Sequence, residues 1–114
     1  MLTIDALKEY GANTEEGLTR CLNNEQFYLR LVKMSLEDGS YEKLVPALEN
    51  GDWKAAFEAA HAMKGVMGNL ALTPLYTPAS ELTELLRGGM PAGDTGSLLE
   101  EIRLQWERLR TLCL

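Results

Sequence analysis

The sequence predicts an all-α chain, an antiparallel up-down bundle with short helices at its N-terminal end. Apolar residues recur at the three- and four-residue spacing of a helix face, and no alternating β-branched run interrupts them. The breaks between apolar segments fall at residues with capping chemistry, as in Asn50-Gly51-Asp52. The joints are short, which makes consecutive helices antiparallel neighbours. At 114 residues the chain is read as one domain, residues 1–114, with room for a single core.

Taken in order, Leu2 to Tyr10 is a short amphipathic helix ended by Gly11. Asn13 and Thr14 can cap a second through about Leu22, with Glu15 and Glu16 in its first turn. Asn23 or Asn24 caps a stronger helix in which Phe27, Leu31 and Met34 make one apolar row, with Tyr28, Val32 and Ser35 beside them. Asp38-Gly39-Ser40 interrupts it, and Ser40 can cap a shorter piece from Tyr41 to Glu49, bent by Pro46. The two pieces are either separate or one broken helix. Gly51 ends the second piece and Asp52 caps the next helix, about 53–70. Thr73-Pro74 restarts the chain, with Leu75, Ala79, Leu82 and Leu86 at helical spacing up to Gly88-Gly89. This helix starts either at Thr77, with Pro78 in the favoured first position, or earlier with a bend at Pro78. After the Pro/Gly loop from Met90 to Gly96, Ser97-Leu98-Leu99-Glu100 has the form of a capping box. It opens a last helix with Leu98, Ile102, Trp106 (or Gln105), Leu109 and Leu112 as its buried stripe.

Composition narrows the function classes. A formal charge of −6, with eleven basic residues scattered along the chain, argues against nucleic acid, because a phosphate backbone demands clustered Lys and Arg. No apolar run approaches the roughly 18 residues of a membrane span, and Met1-Leu2-Thr3-Ile4-Asp5 has no basic segment leading into an apolar one. Cys21 and Cys113 stand alone in apolar, helix-like contexts and read as buried free thiols, with a disulfide between them the alternative. A cytoplasmic, freestanding monomer is the expectation. One histidine without cysteines or a carboxylate at ligand spacing makes no metal site, and no serine stands in a nucleophile setting. Neither GxxxxGK[ST] nor GxGxxG is present, so the chain has no nucleotide loop of its own.

The helix over 53–70 carries the chemistry. At about 100° per residue, Ala56, Met63 and Met67 share a face flanked by Ala60, Trp53 and Leu70, and His61 points roughly 140° away from it. Lys64 follows His61 at i+3, Gly65 at i+4 and Gly68 at i+7, with Lys54 two turns before and Phe57 one turn before. Each interior glycine costs about 1 kcal/mol against alanine, so two beside the only histidine call for a reason. Clearance for another protein's surface supplies one. Lys64 can hold its ammonium beside a phosphoryl group on the ring, and an imidazole of ordinary basicity is largely neutral at pH 7, its nucleophilic form. Phe57 and Lys54 are candidate docking residues. Met63 and Met67 are core filling, and Trp53 and Trp106 are packing anchors.

The run His61-Ala62-Met63-Lys64-Gly65-Val66-Met67-Gly68-Asn69-Leu70 resembles the H-x-x-K-G phosphorylation motif of histidine-phosphotransfer (HPt) domains. The Asn50-Gly51-Asp52-Trp53 joint and the helix after Leu72 are similar too, so the resemblance covers roughly Leu31 to Arg87. Ala71, where the family often has glycine, and Pro78 depart from its pattern. The resemblance implies a four-helix bundle whose histidine accepts a phosphoryl group from a receiver-domain aspartate and passes it to another. By position, His61 is then the phosphorylated residue, Lys64 neutralises phosphate, and Gly65 gives clearance, with Gly68, Phe57 and Lys54 touching the partner. Response-regulator receiver domains, and a hybrid histidine kinase, are the implied partners, and Mg²⁺ is expected on the receiver rather than on this chain. The chain is read as a carrier and substrate, not an enzyme. Two alternatives stay open: the phosphorylated module of a chemotaxis-type histidine kinase, and an unphosphorylated helical docking module.

Overall fold

A computed structural model describes residues 1–114. They form seven helices and no strand: α1 (Ile4–Tyr10), α2 (Thr14–Arg20), α3 (Glu25–Ser35), α4 (Ser40–Glu49), α5 (Trp53–Asn69), α6 (Thr73–Leu86) and α7 (Thr95–Leu112). Capping sets most of the starts. The side chains of Thr3, Asn13, Asn24 and Asp52 accept from the backbone N–H of Ala6, Glu16, Phe27 and Ala55, each satisfying one orphan donor. Gly11, Gly39 and Gly51 take left-handed backbone at the ends or joints of helices, which glycine does without a Cβ clash.

α5 lies at the centre of the packing, against α4 on one side and α6 on the other, and α6 packs on α7. Side chains join α4 to α7: the Tyr41 and Trp106 rings stack at 4.5 Å, and Arg103 approaches Glu49 at 3.6 Å. The inner face of α5, with Ala56, Ala59, Ala60, Met63 and Met67, is buried with Leu44, Leu75, Leu82, Leu86, Ile102 and Leu109 in one apolar cluster. Alanines on α5 let neighbouring helices come close, while Met63 and Met67 fill the remaining space. Cys21 and Cys113 are free, the first buried and the second half-buried.

Six local expectations are changed or resolved. On α3 the buried row is Tyr28, Val32 and Ser35; Phe27 and Met34 are exposed and Leu31 is half-buried. Tyr28 wins the inner position because its hydroxyl finds a buried acceptor, the Leu70 carbonyl at 2.7 Å. α3 and α4 are separate helices, and Ser40 is the first residue of α4 rather than its cap; its hydroxyl turns back to Asp38. α6 starts at Thr73, with Pro74 in its first turn and Pro78 in its interior, so the Pro74 carbonyl loses the usual donor four residues on. α7 opens before Ser97: Asp94 accepts from the N–H of Gly96 and Ser97, ahead of any Ser97 box. The side-chain and backbone donors of Ser97, with the Gly96 N–H, hold the Asp94 carboxyl below its ordinary pKa. The α7 stripe is Leu99, Ile102, Gln105, Trp106 and Leu109, with Leu98 and Leu112 half-buried at its margin.

The end of α5 closes with left-handed backbone at Ala71 (φ 56°). The Ala71 N–H reaches the Gly68 carbonyl at 3.1 Å and the Leu72 N–H reaches Met67 at 2.9 Å, the crossed pair of a Schellman cap. Alanine stands there in a conformation that glycine adopts at lower cost.

Candidate functional site

Because α5 buries the Ala56–Met63–Met67 face, the opposite face must look outward, and His61 is exposed there. The Phe57 ring, one turn earlier, lies parallel to the imidazole within 4°, with centroids 5.9 Å apart. Arg87, just beyond α6, places its guanidinium over Phe57 at 5.6 Å. Arg87 also holds Glu84 with two hydrogen bonds of 3.0 and 2.8 Å. Those hydrogen bonds first, then the Arg87 and Lys64 charges, keep the Glu84 carboxyl below its ordinary pKa. Lys64 is half-buried and therefore stands in the field of Glu84 as well as beside His61.

On the other flank of His61 an open depression of about 600 Å³ runs down the outer face of α5. His61, Lys64, Gly65, Gly68 and Asn69 form its α5 wall, Thr73, Tyr76 and Thr77 of α6 face them, and Ala71 lies at the joint. Glu16 and Arg20 of α2 complete the rim. The structure thus brings together His61, Lys64, Gly65 and Gly68. Phe57 touches this group through the imidazole stack, whereas exposed Lys54 does not line the depression.

The two glycines differ. A Cβ built on Gly65 meets nothing within 4 Å, so the space above it is open to an incoming surface. A Cβ on Gly68 meets the Tyr76 ring at 3.0 and 3.1 Å. Gly68 therefore makes room for Tyr76 inside this chain, and the open space lies over Gly65.

Sequence reasoning missed Arg20, Glu16 and Tyr76. Arg20 donates to the Gly68 carbonyl at 2.6 Å and pairs with Glu16 one turn back. Nothing in a seven-residue helix 41 positions before His61 signals this; only the tertiary path of the chain does. Tyr76 had one available signal, a helix-interior glycine at position 68 facing a joint of three residues. No group of three or more His, Cys, Asp or Glu side chains suited to a metal ion is present, and no helix is long and apolar enough to cross a membrane.

An imidazole on an exposed helix face, stacked from one side and open on the other, can act as a nucleophile toward a group presented by another protein. Lys64, one turn on, lines the same depression. Among known proteins, no curated protein and no solved structure matched the chain. The family model described as the Hpt domain matches residues 31–112, extending the resemblance past Arg87 through α7. The chain belongs to the Hpt domain family, whose members are phosphocarriers in two-component phosphorelays rather than catalysts.

Proposed function

We propose that this chain is a relay carrier that takes a phosphoryl group on His61 from a receiver-domain aspartate and passes it to another receiver. The observation that carries this reading is the His61 face itself: an exposed imidazole, a lysine one turn on, and open space over Gly65. The imidazole nitrogen attacks phosphorus in line, the N–P bond forms, and the P–O bond to the aspartate breaks with the carboxylate as leaving group. The reverse step delivers the group onward. Such transfer depends on positioning and charge neutralisation. Lys64 supplies the cation on this side, and the receiver brings its own Mg²⁺. Phe57 sets the plane of the imidazole, and Gly65 leaves room for the receiver.

The frame for this site is read as an antiparallel four-helix bundle of α4 to α7, with α1 to α3 as N-terminal additions. The short joints at residues 50–52 and 70–72 and the α4–α5–α6–α7 packing support it. A cytoplasmic monomer, 1–114 as one domain, is part of the same reading.

Incubation with a panel of acetyl-phosphate-charged receiver domains tests it. Acid-labile, base-stable labelling of the wild-type chain and none of His61→Gln is the expected result. No transfer across the panel overturns the relay reading, and equal labelling of His61→Gln moves the site elsewhere.

A further inference from the structure

The family match begins at residue 31, yet part of the depression holding His61 is built by residues before it. α2 is fixed there by several independent contacts. The Tyr28 ring lies where any side chain at Gly17 would project, so α2 and α3 approach closely. The Asn13 N–H donates to the Ala71 carbonyl at 2.9 Å, and the Tyr28 hydroxyl to Leu70 at 2.7 Å. These bonds tie the N-terminal segment to the end of α5, and α2 then sets Arg20 on the Gly68 carbonyl at 2.6 Å.

Arg20 is not consumed by these contacts. Its side chain remains 46% exposed, and a guanidinium has five N–H donors. Seven residues separate Gly68 from His61, about 10 Å of helix rise. Anchored there, Arg20 is too far for a group on the imidazole but lies within the footprint of a protein seated over His61 and Gly65, about 800 Å² a side for an ordinary interface. The depression holds Arg20 and Lys64 against the single carboxylate of Glu16, a net positive lining in a chain of net charge −6. The complementary surface is acidic. A receiver site that binds Mg²⁺ and carries an aspartyl phosphate is anionic by its chemistry.

We propose that Arg20 is a specificity-determining residue for docking: it meets an acidic side chain at the rim of the receiver domain's docking surface, making α2, which precedes the matched residues, part of the docking face. This rests on the relay reading above. Charges at the rim of an interface set encounter rate and partner choice more than the chemical step.

The test uses the full chain and an acetyl-phosphate-charged receiver domain, with transfer rate followed against receiver concentration. Arg20→Gln removes the charge and leaves a polar amide, while Arg20→Lys keeps the charge. Arg20→Gln is expected to raise the half-saturating receiver concentration about threefold to fivefold, to flatten its salt dependence, and to retain the saturating rate. Arg20→Lys recovers most of the loss. Phosphoramidate, a donor without a protein surface, labels His61 equally in all three chains. An unmoved half-saturation in Arg20→Gln overturns the proposal while leaving the relay intact. Equal slowing with phosphoramidate also overturns it, since Arg20 then acts on the imidazole or the fold. Labelling of the wild type by phosphoramidate but by no receiver overturns the relay reading and the Arg20 role together.

Discussion

Gly65 separates stability from function at one position. It lies inside α5 with backbone outside the left-handed region, and a Cβ there meets nothing within 4 Å. Alanine therefore fits without strain and gains only the helix-propensity difference, about 1 kcal/mol. For 114 residues, an unfolding entropy of about 2.1 cal/mol/K per residue turns that into a rise in Tm of about 4 °C. Thermal and urea unfolding followed by far-UV circular dichroism measure it. Gly65→Gln should also fold at least as well as the wild type, since glutamine is a better helix former than glycine. Its side chain, however, occupies the approach to His61, and a displacement of about 1 Å at a reacting centre costs up to about a hundredfold in rate. Transfer from a charged receiver should slow by about tenfold or more in that variant. A destabilised Gly65→Ala would mean that the fold itself needs the glycine. A Gly65→Gln chain that transfers at the wild-type rate would refute the clearance role outright.

Three further outcomes are expected. Gly17→Ala drives a methyl into the Tyr28 ring and should cost about 1–3 kcal/mol in urea unfolding, in contrast to the gain at Gly65. Lys64→Ala should slow transfer from a charged receiver by about tenfold to a hundredfold, the worth of one charge-assisted hydrogen bond, with the circular dichroism spectrum unchanged. Burial, with a smaller contribution from the Cys21 charge, pushes the Tyr28 hydroxyl up to about 12 from its ordinary 10.0. The folded state therefore holds this proton more tightly than the unfolded chain. Its stabilising contribution is complete below 10.0 and is lost as pH rises toward about 12. The urea midpoint should fall over that window, and less steeply in Tyr28→Phe, which also costs about 1–2 kcal/mol at neutral pH through the stranded Leu70 carbonyl.

Much of the site was legible because α5 is long enough for its period to be unambiguous. Asp52 and the residues after Leu70 bound it, and the Ala56–Met63–Met67 face leaves one outward direction for His61, Lys64 and Gly65. Where two apolar rows lie side by side, as on α3, periodicity alone did not choose between them. The choice fell to Tyr28 because Leu70 offers its hydroxyl an acceptor and Gly17 leaves it space, both facts of tertiary structure. The same limit applies to Gly68, whose missing side chain is matched to Tyr76 across the α5–α6 joint. Asp94 and Ser97 are both competent caps three residues apart, and local chemistry does not rank them. Arg20 has no local signature, since its position follows from the path of α1 to α3 onto the end of α5.

The chain contains a single histidine, so its imidazole resonances report on His61 alone. Nitrogen-edited NMR before and after incubation with an acetyl-phosphate-charged receiver tests the carrier role most directly. Phosphorylation is predicted to move one ring nitrogen and to couple it to phosphorus, with the original spectrum returning after mild acid. A chain that takes up phosphate while its imidazole resonances stay in place would contradict the account.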